Sequence, residues 1–400
     1  MTETLYPELP TTRSSPLDPP AELGVLRETE PISRLAFPDG TLGWLVTSHA
    51  LAREVLADNR FSNRAELQHS PIRAGGKPIP QQPPAKPGMF INMDGQEHAK
   101  YRRLLTGQFT VRRMNQLIPR IEAIVRDHLA DVRAQGPGVD LVEAFALPVP
   151  SMVICELLGV SYEERESFQR NTKALFHPDQ GVSPRSGRPS SGSRTFVADL
   201  VRRKHDEPGD DMLTGLIQTG ELTDEEVANM GLLLLVAGHE TTANMLGIGT
   251  LTLLGHPEQL AALKADPSLI DNTVEELMRY LSIVQFGASR VALEDVELGG
   301  VTVKAGEPVS ISVMAANRDP AKFDRPEEFD IHRPATGHVA FGHGVHQCLG
   351  QQLARIEMRV GFNALFREFP DLRLAVPASE VPMRDDMAIY GVHKLPVTFS

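Results

Sequence analysis

Phe341-Gly342-His343-Gly344-Val345-His346-Gln347-Cys348-Leu349-Gly350 is a glycine-punctuated loop that delivers one cysteine to the start of a helix. Beyond it Leu353, Ile356, Val360 and Ala364 recur at spacings of three and four, which predicts a core-facing helix to about Phe369. A cysteine at a helix N-terminus meets partial positive charge and unpaired backbone N–H groups, which favour thiolate over thiol and suit the sulfur to metal ligation. Glycines at 342, 344 and 350 leave no Cβ where a flat macrocycle must come close, and they can take positive φ. A lone cysteine is more often a small buried hydrophobe than a ligand. Here the surrounding pattern F-x-x-G-x-x-x-C-x-G is long and specific, and it reverses that expectation. Zinc held by His343, His346 and Cys348 suits the residue types but lacks a second cysteine cluster, so it ranks far below.

With 400 residues, 41% hydrophobic content and mean hydropathy −0.19, the chain can bury a large core. No linker divides it, so the expectation is a single domain over residues 1–400, mainly α. Smaller β-rich parts are expected at about 30–48, 288–312 and 371–400. Net charge −12, with no basic stripe interleaved with aromatics, excludes general nucleic-acid binding. Two cysteines, Cys155 and Cys348, form no disulfide framework and point to a reducing, cytoplasmic setting. Met1 to Pro20 has no charged start followed by an apolar run, and the longest apolar run, Leu232 to Ala237, is too short to span a bilayer. The expectation is a monomer with neither signal peptide nor membrane anchor.

Along the chain, strands are expected near Ile32–Phe37 and Leu42–Thr47, and a helix near Leu51–Leu56. The proline-rich stretch Leu67 to Met89 is expected to lack regular structure. His98 and Arg102 are four apart on a predicted helix and share a face that suits a carboxylate. A long helix is predicted from about Thr223 to Leu254, opened by a capping box of Thr223 and Glu226. Its middle, Ala237-Gly238-His239-Glu240-Thr241-Thr242, sets a glycine, an acid and two β-branched hydroxyl residues inside an apolar helix, where each is unfavourable. Such local conflict marks functional sites. Ala237 and Thr241 share a face, leaving room for a diatomic ligand beside a proton donor. Glu276-Leu277-Met278-Arg279 places an acid and a base three apart on another helix.

These stretches closely resemble the cytochrome P450 monooxygenases, and the resemblance extends along most of the chain. It implies the family's fold, a long central helix over a haem with a proximal cysteine loop, and haem b as cofactor. It implies Cys348 as the axial iron ligand, with Phe341 packed near the sulfur and Gly342 and Gly350 shaping the loop. His98, Arg102, Arg290 and His346 would hold the haem propionates, since buried carboxylates require charge-assisted partners. Ala237, Glu240 and Thr241 match the oxygen-binding motif A-G-x-[DE]-T-T, with Glu240 and Thr241 delivering protons. Glu276 and Arg279 match a structural ion pair behind the haem loop. The family's third partner is an arginine where this chain has Glu328, and the sequence leaves open whether Arg333 replaces it. Leu233, Ala237, Val284, Phe286 and Ile389 fall at substrate-pocket positions, with Leu67–Met89 and His177–Arg194 as bordering loops. The implied reaction is hydroxylation or epoxidation of an apolar small molecule, natural product or xenobiotic, with O2 and two electrons from a ferredoxin and its NAD(P)H reductase. A peroxide-dependent peroxygenase and a haem-binding sensor or carrier are the alternatives. Lys100, Arg103, Arg112, Arg113 and Arg355 are expected to form a basic patch for an acidic ferredoxin.

Overall fold

Alternating apolar residues form the strands where the sequence placed them, and turn residues end them. A computed structural model describes residues 6–164, 191–286, 288–385 and 387–400, without the side chains of Tyr162 and Ser191. Most of the expected loop His177–Arg194, including Arg185 and Arg188, lies outside the described residues. The chain divides into two compact units. One comprises Met1–Ala85, Ile91–Ala99 and Glu275–Cys348, the other Lys86–Phe90, Lys100–Val274 and Leu349–Ser400.

The first unit carries a five-stranded sheet. β1 (Ile32–Ala36) pairs antiparallel with β2 (Leu42–Val46), and Ile32 faces Val46 in the register. β3 is Phe61–Ser62, and Arg73–Ala74 and Lys77–Pro78 form β4 and β5. Downstream lie β6 (Ser289–Ala292), β7 (Val296–Leu298), β8 (Val301–Val303) and β9 (Pro308–Ile311). The sheet order is β1-β2-β9-β6-β3, with β2 and β9 parallel, while β7 and β8 form a separate hairpin. Trp44, Val46, Val55, Phe61, Val309, Ile311 and Val339 share one buried cluster beneath the sheet. The β4–β5 hairpin is a departure from the unstructured stretch expected over Leu67–Met89. Gly75 and Gly76, at φ of 56° and 77°, supply the left-handed turn that closes it.

The second unit is built on the helix Asp224–Gly255, whose Thr223–Glu226 capping box is present as read. Buried residues occur on all its faces, the mark of a helix enclosed by others. It packs against the helices Pro148–Leu158, Ser191–Asp206 and Gln351–Glu368. Packing is close enough that a Cβ on Gly361 would lie 2.9 Å from Leu246 Cδ2. The C-terminal β part is small: β10 (Arg373–Leu374) pairs with β11 (Val397–Thr398), and Met383 bridges Val392. Among the described residues no helix is long and apolar enough to cross a membrane.

Candidate active site

The loop from Phe341 to Gly350, which belongs to the first unit as far as Cys348, is closed by the Cys348 N–H, which donates to Phe341 O at 2.8 Å. Gly344 to His346 form a single 3-10 turn. The following helix begins at Gln351, with Gly350 as its flanking residue. Cys348 therefore lies just upstream of the helix rather than in its first turn, and the loop's own geometry does more than the helix dipole to place it. Gly342 and Gly344 adopt φ of 71° and 73°. A Cβ on Gly344 would stand 2.5 Å from Leu56 O, so this glycine serves the packing of the loop on the helix His49–Ala57. Gly350 has ordinary φ and open space where a Cβ would be, so nothing in its own chain demands glycine there. None of the residues 341–350 is buried, although Phe341, Cys348 and Leu349 are apolar.

Beside this loop a polar network joins residues from four segments of the same unit. The His346 and His98 rings stack with centroids 4.1 Å apart. His346 Nε2 lies 3.7 Å from Asp94 Oδ1. Asp94 also accepts from the Ser62 hydroxyl at 2.5 Å and the Asn63 N–H at 3.0 Å. Burial pushes the Asp94 carboxyl up, but His346, Ser62 and the Asn63 amide outweigh it and bring it down to about 2. Arg290, 6% exposed, donates to Asn63 Oδ1 at 3.0 Å and to Ser289 O at 2.7 Å. Burial pulls its guanidinium down to about 10 even though Asp94 opposes it. Asp94 and Asn63 were not singled out from sequence. Asp94 directly precedes the helix Gly95–Thr106 that carries His98, but Asn63 carries no signal.

The same unit settles the third partner of the Glu276–Arg279 pair. Arg279 Nε and Nη2 donate to Glu276 Oε2 and Oε1 at 2.7 and 2.8 Å, with both side chains fully buried. Arg333 Nε donates to Glu276 Oε1 at 3.2 Å. Glu328 contributes its backbone carbonyl, accepting from Arg279 and Arg333 at 3.1 Å each. Its side chain turns instead to Arg325 at 2.6 Å. Val284 and Phe286, in the connection before β6, are half-buried.

In the second unit, Ala237 is exposed in the middle of a helix whose other exposed residues lie at its two ends, and Thr241 one turn on is half-buried. Thr241 Oγ1 donates to Ala237 O at 2.7 Å. Thr242 is 3% exposed and faces the packed side, so the two adjacent hydroxyl residues have different surroundings. His239, 2% exposed, bonds Leu147 O through Nε2 at 3.0 Å, and burial lowers it to about 4. It is neutral at physiological pH. Glu240 accepts from Arg384 Nη2 at 2.6 Å. Burial raises its carboxyl, with Arg384 opposing. Arg384 lies 144 residues away in the chain and has no local signature. Leu233, Arg102 and Ile389 are half-buried in this unit, and Arg102 follows His98 by one turn on the helix Gly95–Thr106. Of the expected basic patch, Lys100 pairs with Glu226, Arg103 with Glu221 and Arg113 with Asp210, which reduces its field.

Among the described residues no group of three or more His, Cys, Asp or Glu side chains is placed to hold a metal ion, so His343, His346 and Cys348 do not assemble a zinc site. The family profile described as Cytochrome P450 matches residues 264–399. Cytochrome P450 105C1 from Streptomyces sp is 49% identical over 406 residues, covering 100% of both chains. The chain belongs to the cytochrome P450 family. A second relative, the Vitamin D3 dihydroxylase of Streptomyces griseolus, is 42% identical, with 98% of this chain and 97% of the relative covered. Among solved P450 structures, the Streptomyces peucetius CYP105P2 complex with a biphenyl compound superposes with TM-score 0.92 at 44% identity, covering 99% of this chain and 100% of that one. The chain is thus a P450 monooxygenase of mainly helical fold with small sheets, and its cofactor is haem b. The residues present fit that group. Arg290 is a buried guanidinium with no carboxylate within 4.0 Å among the described residues, and the apolar Phe341, Cys348 and Leu349 of the loop are only half-buried.

Proposed function

We propose that this P450 hydroxylates or epoxidises an apolar small molecule of natural-product or xenobiotic type, taking two electrons from a ferredoxin and its NAD(P)H reductase. The observation that carries the reading is the open Ala237–Thr241 face in the middle of a helix whose other exposed residues lie at its two ends. Support for an apolar substrate comes from the relatives, one described as acting on vitamin D3 and one solved with a biphenyl compound. Leu233 and Ile389 in the second unit, and Val284 and Phe286 in the first, are each half-buried apolar side chains. The two cysteines of the chain are too few to ligate an iron–sulfur cluster, which supports an external electron donor.

The overall balance is RH + O2 + 2 e− + 2 H+ giving ROH + H2O. When bound, haem supplies dioxygen activation and O–O cleavage. Cys348 would hold the iron through its thiolate, with Phe341 packed near the sulfur. His98, Arg102, Arg290 and His346 would hold the propionates, with Asp94 beside His346 Nε2 to orient its ring. Ala237 keeps the oxygen side clear. Glu240 takes a proton from solvent, and Thr241 Oγ1 hands it on. His239, neutral and bonded to Leu147 O, takes no part.

Arg290→Met is expected to weaken haem retention by about 10- to 100-fold, because a charge-assisted hydrogen bond to a carboxylate contributes about 1.5–3 kcal/mol. Haem loss to an apo-globin acceptor measures it, and an unchanged rate would remove Arg290 from the propionate set.

The proton route is tested with vitamin D3 and a biphenyl as probes, following whichever gives the larger low-to-high-spin shift. Thr241→Ala should keep haem and the spin shift while diverting most NAD(P)H into hydrogen peroxide. Thr242→Ala, altering a packed side chain, should divert much less. Product and peroxide per NAD(P)H are the readouts, and full coupling in Thr241→Ala would overturn the assignment.

A further inference from the structure

The C-terminal segment reaches the central helix Asp224–Gly255 of its own unit through a buried ion pair. Arg384 is 5% exposed, and in its pair with Glu240 the side chains are 7% and 15% exposed. Its backbone is held by a short antiparallel pairing, in which Met383 bridges Val392 and the Arg384 N–H donates to Gly391 O at 2.9 Å. One helical turn past Glu240, Asn244 meets that same pairing. A Cβ on Gly391 would stand 2.0 Å from Asn244 Oδ1, so only glycine allows the two segments this close. Asn244 Nδ2 also donates to Glu240 O at 2.8 Å. The backbone and the carboxylate of Glu240 are therefore both fixed, the first by Asn244 and the second by Arg384.

We propose that Arg384 is a positioning residue for oxygenation, holding the Glu240 carboxylate in one place next to Thr241 and governing how readily it is reloaded with a proton. The proposal rests on the reading of Glu240 and Thr241 as the proton route. In each cycle a proton leaves the Glu240 carboxyl for Thr241 Oγ1, while the Thr241 hydroxyl passes its own proton onward. The carboxylate left behind then takes a replacement from solvent, so no electrons move in this step. Buried carboxylates tend to stay protonated, and burial does push the Glu240 carboxyl up. Among the described residues Arg384 is the charged group that opposes this. The neighbouring His239 is neutral and turned to Leu147 O, and Asp385 is exposed. The guanidinium thus keeps the carboxylate form accessible where an apolar side chain would not.

The test uses holoenzyme with ferredoxin, its reductase and the probe chosen above, comparing Arg384→Leu, Arg384→Lys, Glu240→Gln and the double variant Glu240→Gln/Arg384→Leu. In Arg384→Leu, kcat for product should fall about tenfold or more with KM little changed. The pH limb of product per NAD(P)H should move upward by about one unit or more. Arg384→Lys, which keeps the charge, should recover most of the loss. The double variant should behave like Glu240→Gln alone. Thermal unfolding gives a readout independent of turnover. A carboxyl raised in the folded state contributes stability that is complete below its ordinary value of 4.5 and lost as pH rises through the folded value. Removing the opposing charge enlarges that loss, so the Tm gap between wild type and Arg384→Leu should widen as pH increases above 4.5, and Glu240→Gln should close it. A pH-independent gap with an unmoved pH limb, in the presence of uncoupling by Thr241→Ala, would overturn the role of Arg384 alone. If Glu240→Gln and Thr241→Ala both stay coupled, the proton route itself fails and this inference with it. Should Arg384→Leu not accumulate as holoprotein, the uncharged Arg384→Gln takes its place, an upward shift of the pH limb supporting the proposal and an unshifted limb rejecting it.

Discussion

Cys348→Ala is expected to abolish oxygenation, taking product formation to background with every probe. The loop leaves no substitute for the sulfur. The other cysteine, Cys155, is fully buried within the helix Pro148–Leu158 of the other unit. Nearby His346 is engaged with Asp94 and His98, and a histidine ligand would give a different iron electronic state in any case. The readout separate from turnover is the CO complex of the reduced protein. Wild type should show the strongly red-shifted Soret band of thiolate ligation, and Cys348→Ala should not. Cys155→Ala should keep both band and activity, with at most a modest cost from the small cavity left in the helix core. A red-shifted band that survives in Cys348→Ala would mean that the sulfur is not the ligand. The Cys348 N–H bond to Phe341 O is a backbone contact and persists in the variant, so loss of the band would not be a failure of loop folding.

What could be read in advance followed the range of the forces involved. The helix Asp224–Gly255 was legible from its capping box and apolar content, because both act within a turn or two of the chain. The strands β1 and β2 and the pair β7–β8 were legible because a side-chain period of two and a glycine turn are local facts. The motif residues on the cysteine loop and the central helix were legible for a different reason: they break local preference and so stand out. Partners from distant segments were not. Nothing near Glu240 announces Arg384, and nothing near Arg290 announces Asn63, since these contacts are set by tertiary packing over 144 and 227 residues. The five cations taken for a basic patch show the same limit in reverse. Their charges were visible, while Glu226, Glu221 and Asp210, which pair with three of them, lie about 97 to 126 residues further along the chain.

Breaking the buried cluster around Glu276 is expected to be the most destabilising single change away from the chemistry. Glu276 and Arg279 are both 0% exposed, and Arg333 is 4% exposed in its side chain. Glu276 accepts from Arg279, from Arg333 and from the Asp330 N–H at 3.0 Å, so its charge is compensated from three directions. Removing one member of such a cluster leaves an uncompensated charge out of water, at a cost of about 3–5 kcal/mol. That is a large part of the 5–15 kcal/mol typical of a folded domain. Glu276→Leu should be the worst, because it strands two guanidinium groups at once. Arg333→Leu should cost less than Arg279→Leu. Both guanidinium groups also donate to backbone carbonyls, Arg279 to Asn317 O at 2.9 Å and Pro326 O at 2.8 Å and Arg333 to Arg325 O at 2.9 Å, but Arg279 holds both Glu276 oxygens, at 2.7 and 2.8 Å, while Arg333 holds one, at 3.2 Å. Replacing all three by apolar residues should recover part of the Glu276→Leu loss, since no charge then remains buried, but not all of it, since those carbonyls lose their donors. Equilibrium denaturation monitored by tryptophan fluorescence and by circular dichroism measures the series. A cost below about 1 kcal/mol for Glu276→Leu, the range of an exposed pair, would show that water screens the cluster and that its burial does not govern its strength.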